Sequence, residues 1–178
     1  MSATVTTSTY TQLKERFQRE FSELDTIWAF STKQLEEGME RLGCTPDDLV
    51  RFAPGGYMRR SDVGALKDLL KRQTQELTER MSTYDFAFAA FLYEMGNHEY
   101  HINGQADWDV VSCFGTVEYD DEKGGLSYLR DLFVVVLHGA EKGGLSYLRD
   151  LGYPQETLRA YEDARREHFR QCDENGWW

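Results

Sequence analysis

The sequence predicts an α+β fold, mainly α, in which short helices surround a central apolar helix and a small β-hairpin. Three observations carry this expectation. Apolar residues recur at helical spacing through most of the chain. One segment, about 83–97, is apolar around most of its circumference, as a core helix must be. A Pro-Gly-Gly turn separates two short runs, Leu49 to Phe52 and Tyr57 to Arg60, that read as a hairpin.

The elements follow in order. Met1 to Tyr10 is Thr/Ser-rich and lacks the charged and apolar regions of a signal peptide, so residues 1–9 read as a flexible leader. A single domain is expected over 10–178. The first helix is expected from about Thr9 to Leu24: Thr9 and Gln12 make a capping-box pair, and Leu13, Phe17, Phe21 and Leu24 form one stripe. Ile27 to Phe30 reads as extended. Ser31 and Gln34 open a second helix that Gly43 stops. Thr45-Pro46 is a helix start, with Thr45 as cap. A long helix follows Ser61 to about Met81, with Leu66, Leu69, Leu70, Leu77 and Met81 toward its buried side. The central helix then spans about Thr83 to Asn97. Asp107 is placed as the cap of a short helix that turns Val110, Val111 and Phe114 inward. The last helix, about Gln155 to Cys172, buries Leu158, Tyr161 and Phe169.

Size and composition suit such a core. The chain has 178 residues, 40% of them hydrophobic and 13% aromatic, enough to fold without staples. Its longest apolar run, Leu132 to Leu137, is far short of the roughly 18–20 residues that cross a bilayer. Three widely spaced cysteines (Cys44, Cys113, Cys172) with no CxxC pair suit reduced thiols in a cytoplasm.

Eleven residues, Glu122 to Leu132, recur without change as Glu141 to Leu151. A single copy pair is not a solenoid. It reads as a tandem duplication inserted at the surface, with two equivalent binding segments as the functional alternative.

Charge is uneven. The formal net charge is −11, and from residue 81 to residue 122 there is no Lys or Arg but nine acidic side chains. Phosphate contacts need cations, so that region opposes direct nucleic-acid binding. A basic protein surface or a metal ion complements it. Glu99, Asp107, Asp109, Asp120 and Asp121, interleaved with Tyr100, Trp108 and Tyr119, form the expected partner-binding set. Acidic groups steer and aromatic groups anchor.

No phosphate-cradling GxxxxGK[ST], GxSxG, HExxH or GxGxxG stands in the sequence. Catalytic residues are therefore expected to be absent, and no cofactor is expected. The alternative is a metal-dependent hydrolase or nuclease. Glu94, His98 and His101 fall at i, i+4 and i+7, on one helix face if the helix continues, with Asp107 and Asp109 close behind. Gly96 and Asn97 argue that the helix stops and that His98 caps it.

Trp28-Ala-Phe-Ser31, Gln34-Leu-Glu-Glu-Gly38, Gly55-Gly-Tyr57, Phe91-Leu-Tyr-Glu-Met95 and Asn97-His-Glu-Tyr100 together resemble a family of small proteins from phages and mobile elements of Gram-positive gut bacteria. In that family an FAFS start, a Gly-Gly-aromatic turn and an E-x-x-NHEY block precede an LDALG-like segment. Here Asp109 to Gly115 departs from that last pattern, and the resemblance covers residues 26–115. It implies an anti-CRISPR role like that of some relatives: a protein that binds Cas9 with its guide RNA and blocks DNA binding or cleavage. Cas9-type effectors offer long basic channels for such a ligand. A charge of −11 over 178 residues suits partial charge mimicry rather than imitation of a duplex.

Loop length changes closure entropy only slowly. Deleting residues 122–140, which leaves one copy of the repeat, should therefore preserve a cooperative urea transition; a broad, non-cooperative one would place Phe133 to Leu137 in the main core.

Overall fold

The computed structural model describes residues 2–102, 106–115, 118–120, 125–127 and 143–177, with side chains from Thr9 onward except at 103–106 and 116–142. The architecture is α+β and mainly α. The chain forms two compact units: one from residues 1–14, 75–116 and 130–178, the other from 15–74 and 117–129. No helix among the described residues is long and apolar enough to cross a membrane.

The second unit is built on a three-stranded antiparallel sheet in the order β1-β3-β2, from β1 (Thr26–Trp28), β2 (Leu49–Ala53) and β3 (Gly56–Arg59). Pro54-Gly55 closes the β2–β3 hairpin, and Gly55 takes φ +72°, the left-handed value that a side chain at that point of the turn would resist. The extended segment expected at Ile27 becomes the edge strand, with Ile27 opposite Tyr57. Phe52, Met58 and Leu66 form the core of this unit, flanked by Phe21, Leu24, Val50, Val63 and Leu70. A second antiparallel pair, β4 (Glu118–Asp120) and β5 (Gly125–Ser127), lies within the same unit.

Helix α2 (Thr32–Leu42) begins as its sequence dictates: the Ser31 hydroxyl accepts from the Gln34 amide, and the Gln34 side chain accepts from the Phe30 amide at 2.8 Å. Gly43 ends it at φ +62°. The helix buries only Gly38, because a β-carbon there would stand 2.3 Å from Cγ2 of Ile27. Thr45-Pro46 starts a single 3-10 turn, Pro46–Asp48, rather than a helix.

Two helices run through residues of both units: α1 (Ser2–Ser22) and α3 (Val63–Met81). Because α1 begins at Ser2, Thr9 lies within it and does not cap it. The first unit adds α4 (Tyr84–Asn97), α5 (Ala106–Ser112), α6 (Gly144–Asp150) and α7 (Gln155–Asn175). Helix α4 is the expected central helix; Phe86, Ala87, Ala89, Ala90, Phe91 and Met95 are all buried. Its chief neighbour is α7, which buries Thr157, Tyr161, Ala164, His168 and Cys172 along one face. Phe91 meets Phe114 and Tyr161 edge-on, with ring centroids 4.8 and 5.1 Å apart, as aromatic quadrupoles prefer. Asp107 is the second residue of α5 and not its cap, although Val110, Val111 and Phe114 do turn inward.

The two copies of the repeat part company. Gly125-Leu-Ser127 of the first is strand β5, whereas Gly144 to Asp150 of the second is helix α6, with Tyr147 and Leu148 buried. Over these three described positions the copies differ in backbone, which argues against two equivalent binding segments. The Phe133 to Leu137 run lies outside the described residues.

Gly38→Val should drive α2 off Ile27 and cost about 1–3 kcal/mol. Gly64→Ala, in open space on α3, should be neutral or add up to about 1 kcal/mol. Urea unfolding of both variants checks the contrast.

Candidate functional site

Polar side chains inside the first unit gather at three points around the C-terminal end of α4. The first is Glu94, 1% exposed among the apolar side chains that α4 buries. A lone carboxylate there would cost several kcal/mol, and the structure surrounds it with donors. Tyr10 Oη and Lys14 Nζ each donate to Oε1 at 2.6 Å. Asn97 Nδ2 donates to Oε2 at 3.2 Å, and His98 Nε2 lies 3.6 Å from the same oxygen. Cys113 Sγ stands 3.5 Å from that imidazole nitrogen and donates to the Asp109 carbonyl at 3.3 Å. Burial, reinforced by the Glu94 charge, pushes the Cys113 thiol up to about 12, so it is no nucleophile at neutral pH. The Tyr10 hydroxyl is raised by burial and by Glu94, and stays a donor.

The second point is Asp107. Its Oδ1 accepts short hydrogen bonds from Tyr100 and Tyr161, and Oδ2 accepts from the Gly144 amide at 3.5 Å. Burial alone would raise this carboxyl. The two phenols, the amide and the Arg165 charge outweigh it and hold the group below the usual carboxylate range. Burial and the Asp107 bond push Tyr100 up to about 12. The third point joins His101, His168 and Cys172: His101 Nδ1 is 3.3 Å from His168 Nε2, which is 3.6 Å from Cys172 Sγ.

The expected metal set is therefore divided. Helix α4 runs through Asn97 with His98 as its cap, so Glu94 and His98 share a face as their spacing requires. Glu99 then takes φ +50° and turns the chain, which separates His101 from that face. Glu94 and His98 meet Cys113, His101 meets His168 and Cys172, and Asp107 belongs to the two tyrosines. Asp109 contributes its carbonyl to Ser112 and Cys113.

The expected partner-binding set is also redistributed. Glu99 is exposed, but Tyr100, at 7% exposure, is a core residue and not an interface anchor. Trp108 is half-buried against Tyr147, with ring centroids 5.2 Å apart. Asp107 is committed internally. Tyr119 and Asp120 lie on β4, whose side chains fall outside the described residues, as does Asp121 entirely.

Besides Trp177 of the first unit, the large exposed aromatics among the described residues are a pair in the second unit. Phe30 is 79% and Trp28 50% exposed. Both rings rest on the hairpin glycines: a β-carbon at Gly55 would meet the Phe30 ring at 2.5 Å, and one at Gly56 would meet Trp28 at 3.1 Å. The Trp-Ala-Phe and Gly-Gly motifs, read separately in the sequence, thus form one aromatic platform.

The Asp107 cluster makes a pH-dependent contribution to stability. The folded carboxyl titrates below the ordinary value of about 3.9. Its stabilisation is complete above that value and is lost as pH falls through the folded one. Tyr161→Phe should cost about 1.5–3 kcal/mol at pH 7, and the penalty should shrink below about pH 4. Melting temperatures of both proteins at pH 7 and pH 3 check this.

No curated protein and no solved structure matches the chain. Residues 9–123, well over half of the 178, match the family of unknown function DUF7659. The match stops as the repeat begins, taking in both α4 with its buried Glu94 and the aromatic platform, and on that match the chain belongs to this family.

Proposed function

We propose that the protein acts by binding a macromolecular partner rather than by catalysis, through the platform formed by Trp28 and Phe30. The observation that carries this reading is the exposure of two large aromatic rings held in place by glycines. Contiguous exposed apolar surface marks interaction sites, and aromatic side chains dominate binding hot spots. The occupant is a protein with a basic nucleic-acid-binding groove. The charge of the whole chain, −11, supports that choice; in the platform's own unit the exposed acids Glu36, Glu37, Glu40, Asp47 and Asp48 stand among exposed cations such as Lys33, Arg41 and Arg51. The resemblance of Trp28 to Ser31 and of Gly55 to Tyr57 to motifs of phage proteins makes Cas9 with its guide RNA the first partner to test. On that reading the protein is an anti-CRISPR inhibitor that blocks DNA binding or cleavage.

A metal-dependent hydrolase or nuclease has one observation in its favour, the convergence of Glu94 and His98 with Cys113. Against it, Lys14 and Tyr10 already occupy one Glu94 oxygen, and His101 and Asp107 are engaged elsewhere.

DNA cleavage by several Cas9 orthologues, with and without excess protein, tests the proposal. Inhibition is expected for at least one, with association slowing as salt rises because exposed charges are screened. The Trp28→Ala, Phe30→Ala double variant should weaken binding roughly 30-fold or more, as loss of a hot spot does. Phe30→Ala alone, at the more exposed ring, should weaken binding without changing the melting temperature much, whereas Trp28 also packs against Phe52. Absence of binding and inhibition across the orthologues would overturn the anti-CRISPR reading; inhibition unaffected by the double variant would overturn the platform.

A further inference from the structure

We propose that His101, His168 and Cys172 form a zinc-binding site that fastens the turn after α4 to the C-terminal half of α7. His168 and Cys172 stand one turn apart on α7, His101 reaches them from the turn after α4, and two of the three are deeply buried: His168 at 2% exposure and Cys172 at 0%. Their donor atoms lie within 4.8 Å of one another.

The spacing decides the chemistry. Zinc binds imidazole nitrogen at about 2.0–2.1 Å and thiolate sulfur at about 2.3 Å in a tetrahedron, which sets the edges at about 3.3–3.4 Å for N···N and about 3.5–3.6 Å for N···S. The observed edges are 3.3 Å from His101 Nδ1 to His168 Nε2 and 3.6 Å from that nitrogen to Cys172 Sγ. Hydrogen bonding alone accounts for the arrangement less well. A ring nitrogen has one in-plane lone pair or one proton, yet two donor atoms converge on His168 Nε2. A cation among the three gives each atom its own bond.

Two imidazoles and a thiol make a borderline-soft set that suits zinc. On binding, the Cys172 S–H bond breaks, its proton passes to solvent, and a zinc–sulfur bond forms. The fourth vertex is left to water, on the side of the half-buried His101. Glu94, His98 and Cys113 form a poorer site: Lys14 and Tyr10 hold one Glu94 oxygen, Asn97 donates to the other, and the Cys113 thiol donates to a carbonyl. The site is independent of the aromatic platform, which lies in the other unit.

The test uses the full chain, dialysed against chelator and titrated with Zn²⁺ or Co²⁺ alone. One metal ion per chain is expected. Co²⁺ should give the intense visible bands of tetrahedral coordination with a thiolate-to-metal charge-transfer band, and Zn²⁺ should raise the melting temperature in a concentration-dependent way. Cys172→Ser should abolish the charge-transfer band. His101→Ala, at a half-buried position where loss of the fold is not expected, should weaken binding at least about 100-fold, since even outer-sphere partners of a metal contribute 10–100-fold. Cys113→Ser should retain both signals. Failure to bind Co²⁺ through a thiolate, or loss of the band in Cys113→Ser instead of Cys172→Ser, would overturn the proposal.

Discussion

The first unit depends on how one carboxylate is accommodated. Helix α4 buries Phe86, Ala87, Ala89, Ala90, Phe91 and Met95, and Glu94 is the charge among them. Removing its donors would leave an ionised group in a low-dielectric core, at a cost comparable to a large part of a domain's net stability. The need for partners sets the geometry around it. Tyr10 and Lys14 stand one turn apart on α1, so both reach Oε1 only when that face of the helix lies toward α4. Asn97 and His98 reach Oε2 from the end of α4 itself, which helps explain why the helix continues to Asn97 although Gly96 precedes it. Tyr10 carries the same constraint into the aromatic core, because its ring packs against Phe86 and Phe114. Lys14 remains partly exposed, so the pair is neutralised without a second fully desolvated charge, the more favourable way to bury an acid.

Local signals were legible in the sequence, and they account for most of the fold. Caps and stop residues gave α2 its bounds, because the Ser31–Gln34 interaction and the left-handed Gly43 act within a few residues. The Pro-Gly-Gly turn located the hairpin for the same reason. Long-range effects were not legible. Thr9-x-x-Gln12 has the form of a capping box, yet the helix passes through it, because α1 already begins at Ser2 and the N–H groups such a box would cap lie within the helix. The repeat makes the point most plainly: Gly-Leu-Ser is strand at 125–127 and helix at 144–146. Identical local propensities give opposite outcomes, so tertiary surroundings decide.

The candidate sites divide along the same line. The i, i+4 pair Glu94–His98 was visible because a helix carries it. That His101 would leave the face was legible in Gly96 and Asn97, which argue that the helix stops there; where His101 then goes was not, since it depends on Glu99 adopting a positive φ. Cys113, Tyr161 and His168 reach their partners only through packing. One signal was available and overlooked: His168 and Cys172 are also i, i+4, on a helix whose other buried residues, Thr157, Tyr161 and Ala164, mark that face as internal. A histidine and a cysteine one turn apart on a buried face invite a search for a third ligand, and the cluster at the end of α4 supplies it.

Acidic charge and aromatic content were read together as one binding face in residues 85–122, and the structure separates them physically. Tyr100 lies inside because its hydroxyl, with that of Tyr161, satisfies Asp107, so an acid and an aromatic that look like a surface pair in sequence are each other's reason for burial. Among the described residues, the rings at Trp28 and Phe30 stay outside, resting on the hairpin glycines. A β-carbon at Gly55 or Gly56 would push those rings away, so the glycines hold the aromatic surface in place as much as they turn the chain. Apolar surface presented in this way has a hydrophobic contribution still to be gained, on the order of 25 cal/mol per Å² covered. A partner that covers it gains that term at little ordering cost, because the rings are already positioned. On the proposed function, long-range charge would bring such a partner close and the platform would distinguish one basic surface from another, since shape and apolar contact do not average over distance as Coulomb forces do.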